Sequence, residues 1–243
     1  MTTSATTTTP RQLMLPGQAA APSGPVDLAM MYVMHHAFRR DLTAFVAAAR
    51  TPVGDRRTWQ RLERRWQLFS TVLHHHHSGE DAGLWPLLLE RADAAGDRES
   101  RATLEAMEAE HGEIDPLLAS VAAGLARLAA HADEDERAAL EVRLVAARER
   151  LGAHLAHEER DAMAILQRYA TPEDWARVGK EHFDPAYGPR LLLAVIPWLL
   201  HRLPAEAVDR LVKEDGGRAL LLLWRLVLRR PFERRERLTF RSA

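Results

Sequence analysis

The chain reads as an all-α protein: an up-down-up-down four-helix bundle followed by a helical C-terminal extension. Three observations predict this. Apolar residues make up 47% of the 243 positions but aromatics only 6%, an Ala- and Leu-rich balance that favours helix over sheet. Four stretches repeat apolar residues at spacings of three and four, the period of one buried helix face. The connections between them are short, which sets successive helices antiparallel.

The first helix is expected over residues 26–49, where Leu28, Met31, His35, Phe38, Leu42 and Phe45 share a face. Pro52 and Gly54 stop it. The second, over 58–91, runs through Leu62, Trp66, Phe69, Leu73, His76 and Glu80, with a bend or break expected at Gly79 and Pro86. Trp66 and Phe69 read as core. The third, over 100–130, carries Leu104, Met107, His111, Ile114, Leu118, Val121, Leu125 and Leu128. The fourth, over 134–169, carries Leu140, Leu144, Ala147, Leu151, His154, Glu158 and Ile165. The expected division is a disordered tail at 1–25, rich in Thr, Ser, Pro and Ala, then a bundle at 26–170 and the extension at 171–243.

Composition narrows the function. A net charge of −1 gives no whole-chain field for nucleic acid, and none is expected as a partner. With no cysteine there is no disulfide, thiolate metal site or thiol nucleophile. The best apolar run, 219–228, is interrupted by Arg225 and falls well short of the roughly 20 residues a bilayer span needs. The first residues lack the basic start and apolar core of a signal peptide, so the expected location is cytoplasmic. Arg225, Arg229, Arg230, Arg234, Arg235, Arg237 and Arg241, beside Leu220–Trp224, form a basic amphipathic segment suited to weak contact with a membrane surface.

The chemistry sits on the four stripes. Each carries a histidine: His35, His76, His111 and His154. Two are followed one turn later by glutamate, Glu80 and Glu158, so that imidazole and carboxylate lie on one face about 6 Å apart. His35 and His111 lie about 9 and about 11 residues into their helices, and His76 and His154 each precede about 15 more, so antiparallel packing sets all four at similar depth. A carboxylate on a leucine-rich seam needs a partner. Imidazole and carboxylate donors suit iron, manganese or zinc. The bland alternative is that the seams open to solvent and these groups pair with arginines. Coincidence on four helices weighs against it. His74, His75 and His77 read as surface or supporting residues. A register shift would exchange His77 and Asp81 for His76 and Glu80, and the same ambiguity touches His36, His157 and Glu159.

The order His, His-x-x-x-Glu, His, His-x-x-x-Glu, within HHAFRRDL, HHSGEDAGLWP, EAEH and HLAHEE, resembles the bacterial hemerythrin-like proteins with an HHE cation-binding domain. The resemblance spans about 26–169. It implies a non-heme di-iron centre bridged by an oxo or hydroxo group and by carboxylates. His35, His76, His111 and His154 would be terminal ligands, and Glu80 and Glu158 the bridges. Such a centre binds or senses a small ligand: oxygen, nitric oxide or peroxide. The alternatives are a di-iron enzyme that decomposes peroxide or oxidises nitric oxide, and a structural or membrane-peripheral bundle with a structural metal.

One position departs from the family. Oxygen carriers of this kind have a second histidine four residues after that of the third helix; here it is Asp115. Asp115, or Tyr32 one turn before His35, is the candidate to fill the gap. A ferritin-like site fits less well, because Glu108-x-x-His111 has no second copy.

Overall fold

The computed structural model describes residues 9–51, 55–212 and 217–240. No strand occurs among them. Helix α1 spans Ala29–Arg50 and α2 spans Arg56–Gly79. A π turn at Glu80–Leu84 joins α2 to α3, Trp85–Ala95. Helix α4 spans Arg98–Ala130 and α5 spans Glu134–His157. A second π turn at Glu158–Ala162 leads into α6, Met163–Tyr169.

Capping chemistry explains the starts. The Asp55 side chain accepts from Arg57 N–H, Asp97 from Ser100 N–H and Asp133 from Glu136 N–H, each satisfying a donor the first helical turn leaves open. Gly96 ends α3 at φ 68°, a left-handed conformation that costs glycine little.

Helix α4 packs on α2 and α5, and α1 packs on α5, which closes the bundle. Phe38, Phe45, Trp66 and Phe69 form an aromatic stack between α1 and α2, with Phe45 and Trp66 at 5.1 Å between ring centroids. The expected core reading of Trp66 and Phe69 holds.

The extension folds back over the bundle. Helix α7 (Pro172–Val178) starts on a capping box of Thr171 and Asp174. A π turn at Gly179–Phe183 and a short 3-10 turn at Asp184–Ala186 follow. Then come α8 (Pro189–Leu200), α9 (Ala205–Val212), α10 (Gly217–Leu223), a π turn at Trp224–Leu228, and α11 (Arg229–Phe240). Trp198 of α8 is buried against Phe38, and its indole N–H donates to Asp41 at 2.8 Å. Asp41 also pairs with Arg65 at 2.9 Å, so one buried carboxylate ties α1, α2 and α8 together. No helix among the described residues is long and apolar enough to cross a membrane.

The expectation of a disordered N-terminal tail fails over residues 9–25. Leu13 and Leu15 are buried in the core. Gln12 donates to the Val26 carbonyl at 2.8 Å, and Gln18 donates to that of Leu13 at 3.0 Å. Compositional bias averages over a segment, whereas two well-placed leucines and two glutamines suffice to hold it. Residues 1–8 lie outside the described residues.

Candidate metal centre

The six expected residues converge at one level of the bundle, and all six are buried. His35 comes from the second turn of α1, His111 from α4, His76 from the last turn of α2 and His154 from the last turn of α5. Glu80 and Glu158 each open a π turn. Trp85 N–H reaches back five residues to the Glu80 carbonyl, and Met163 N–H does the same to Glu158. A π turn inserts one residue into a helix, and such insertions collect at functional sites. Gly79 and Pro86 flank the first insertion, as the expected bend required; no Gly or Pro announces the second.

The donor atoms form two groups. His35, His76, Glu80 and Glu158 place theirs within 4.8 Å of one another, and so do His77, His111 and His154. The carboxylates border both groups. Glu80 Oε1 is 3.2 Å from His76 Nε2, while its Oε2 is 3.6 Å from His111 Nε2. Glu158 Oε2 lies 3.2 Å from His35 Nε2 and 3.8 Å from His154 Nε2.

Imidazole orientation is set from outside. His35 Nδ1 faces Glu159 at 3.0 Å, His111 Nδ1 faces Asp81 at 2.8 Å and His154 Nδ1 faces Glu110 at 2.8 Å. An ionised carboxylate only accepts, so each Nδ1 donates outward and each Nε2 faces the interior, the arrangement that orients imidazoles for a metal. Glu159 is held in turn by a two-pronged Arg39 and by the Ala19 N–H at 2.7 Å. The N-terminal strap thus reaches the support of the centre.

Inside, the carboxylates have only the facing imidazoles for neighbours. Both oxygens of Glu80 and of Glu158, and Nε2 of His77, are buried without a hydrogen bond. His35 Nε2 faces His76 Nε2 at 3.2 Å, and His111 Nε2 faces His154 Nε2 at 3.2 Å. Two donors bound at about 2.1 Å at right angles on one ion stand about 3 Å apart, so these spacings suit a shared cation. Buried carboxylates and inward-facing Nε2 atoms are the donor set a hard or borderline divalent metal takes.

Electrostatics separates the two groups. Burial would lower the His35 pKa, but Glu158 and Glu159 override it and raise it to about 9. Glu158 is depressed to about 2 because His35, His154 and His76 outweigh its burial. Glu80 is pushed well up, by burial and then by the Glu158 charge. Burial and the His35 charge bring His76 down to about 3. His77 falls well below its ordinary value through burial and His111, and burial also lowers His154. The apo centre therefore sets a His35–Glu158 pair beside a Glu80 biased toward its protonated form and beside His76, His77 and His154 biased toward the neutral imidazole.

His77 is the residue that the helical stripes hid. It was expected at the surface or in support; instead it is buried and stacked on His111, with ring centroids 3.8 Å apart. Its position next to His76 was the available signal, since adjacent residues on a helix end at the boundary of two sites can face both. Asp115 is exposed and outside both groups, and Glu108 is exposed too. Tyr32 is buried with its hydroxyl unpaired, its pKa raised by burial and by Glu159 and Glu158. His74 is exposed and His75 half-buried. His157 pairs with Glu110 at 3.0 Å.

The extension covers one side of the centre. A Cβ on Gly79 would sit 2.8 Å from the Phe183 ring, and one on Gly83 would sit 2.4 Å from the His182 ring, so both glycines are required for close approach. The Phe183 and His76 ring centroids are 6.3 Å apart, and Tyr187 meets His75 at 5.8 Å. Burial and Glu80 lift the Tyr187 pKa to about 12.

No curated protein and no solved structure matches the chain. A family model does: that of the hemerythrin HHE cation binding domain, over residues 26–166, the stretch that holds both donor groups, the π turns that begin at Glu80 and Glu158, and the acids behind the histidines. With more than half of its length matched and its buried donors in that family's order, the chain belongs to the hemerythrin HHE cation-binding family.

Proposed function

We propose that this protein holds a non-heme di-iron centre that binds or senses a small ligand: oxygen, nitric oxide or peroxide. The observation that carries the reading is the pair of buried donor groups bordered by the same two carboxylates, whose oxygens accept no hydrogen bond. In this reading His35 and His76 would hold one ion, His77, His111 and His154 would hold the other, and Glu80 and Glu158 would serve both. His77 takes the place that Asp115 or Tyr32 was expected to fill. The irons would supply an open coordination position and electrons for the incoming ligand.

The protein residues do the rest. Glu159, Asp81 and Glu110 keep the Nε2 atoms facing inward. Phe183 and Tyr187 screen the His76 side from water. The unpaired Tyr32 hydroxyl offers a buried hydrogen-bond donor near Glu158.

The test is anaerobic loading with ferrous iron, a metal count, and an absorption spectrum before and after exposure to air and nitric oxide. We expect about two irons per chain and bands that shift reversibly with the added gas. Less than one iron per chain after loading overturns the di-iron reading. Stoichiometric iron with sustained peroxide consumption replaces binding by catalysis.

A further inference from the structure

A second site lies away from the metal centre. The extension does not seal against the bundle along α1 and α5. It leaves a groove of about 1350 Å³, walled by α1 and α5 on one side and by the α8–α9 loop, α10, the last π turn and α11 on the other. Small-ligand clefts usually enclose roughly 300–1,000 Å³, so this space is roomy enough for a molecule of that class.

The lining has two characters. Leu42, Leu151, Leu155, Leu203, Val208 and Leu221 give it apolar walls. Seven arginines line it against four carboxylates, Asp41, Asp209, Glu233 and Glu236. Three of those carboxylates are already engaged: Asp41 by Arg40 and Arg65, Glu236 by Arg65 and Glu233 by Arg229. Among the described residues the side chains of Arg202, Arg225 and Arg237 have no carboxylate within ion-pair distance, although Arg237 adds to the field on Glu233. Arg202 also has a positive φ, 54°, a conformation that L-residues seldom adopt. The field is positive: His201, in the same lining, is brought down to about 4 by burial and then by Arg40 and Arg202.

We infer that this groove binds a single-chain amphiphile with an anionic head, a long-chain carboxylate being the simplest case. The apolar walls take the chain, and the unpaired guanidiniums take the head. A neutral chain leaves those guanidiniums without a partner, and a bare anion leaves the apolar walls wet. The inference stands apart from the di-iron reading, since it uses none of the centre's donors.

The experiment is calorimetric titration of the full-length protein with oleate below its self-association concentration. Oleyl alcohol, inorganic phosphate and anionic phospholipid vesicles serve as separate arms. We expect saturable binding of about one oleate per chain, at least about tenfold weaker binding of the alcohol, and none of phosphate. Arg202→Glu, which reverses the head charge, and Val208→Trp, which fills the groove, should each weaken oleate by about tenfold or more at unchanged circular dichroism. Absence of saturable oleate binding by the wild-type protein overturns the inference. So does equal affinity for the alcohol or for phosphate, and so does binding to vesicles without binding to monomeric oleate. Lysophosphatidate binding as tightly as oleate would assign the head to a lipid phosphate within the same chemistry.

Discussion

The two donor groups sit side by side yet are built differently. The first, His35, His76, Glu80 and Glu158, encloses its carboxylates and carries charge within: His35 is held protonated against Glu158. The second, His77, His111 and His154, is all imidazole and keeps its acids outside, with Asp81 and Glu110 behind two of the rings. Both hold a metal's worth of donors, but the apo forms solve the desolvation problem differently. One neutralises charge by pairing, the other by burial that biases His77 and His154 toward the uncharged imidazole. The shared walls are Glu80 and Glu158, so the groups differ in proton content while depending on the same two side chains.

The largest effect should come from a shared wall. Glu158→Ala removes a carboxylate that faces both groups and leaves His35 without its main counter-charge. Iron content after anaerobic loading should fall from about two to well below one per chain. Retention of one tightly held ion would mean that the groups are independent and break the comparison. His77→Ala should act on one group alone. We expect about one iron per chain, with the exposed Asp115→Ala variant loading like wild type. Loss of iron in Asp115→Ala and not in His77→Ala would reverse the assignment.

The smallest effect is in the pH dependence of the apo protein. The His35 pKa is raised from 6.5 to about 9 in the fold. A raised folded value adds stability that is complete below the unfolded pKa and is lost as pH climbs through the folded one. Apo melting temperature should therefore fall by a few degrees between pH 6.5 and 9, while iron affinity rises over the same window because the metal displaces that proton. Glu80, with its pKa raised, pushes the same way. A flat or rising apo profile would show that His35 is neutral and that the two groups are electrostatically alike.

Much of this was legible in the chain. The three–four periodicity located the bundle helices to within a few residues: the second was expected over 58–91, where α2 and α3 with their π turn run from Arg56 to Ala95. The stripes also brought out His35, His76, Glu80, His111, His154 and Glu158, because a polar residue in a leucine register is conspicuous. His77 escaped because a stripe admits one face per helix, and α2 ends between two donor groups. The π turn at Glu158 escaped because an inserted residue leaves no compositional mark. It brings Glu159, one position on, into the interior as the partner of His35. The contacts of residues 9–25 and of the extension are long-range, and periodicity reports only on neighbours along the chain.

The glycines at 79 and 83 have a consequence for moving this centre elsewhere. They are where the bundle surrenders its own surface so that Phe183 and His182 can come within contact of the backbone. A bundle excised at Tyr169 would keep every donor, yet it would present two bare stretches of backbone and an uncovered His76 flank to water. The transferable unit is therefore not the stretch that bears the donors. It runs at least to Tyr187, and its two glycines and three aromatic side chains have to be carried across together as a matched lock and key.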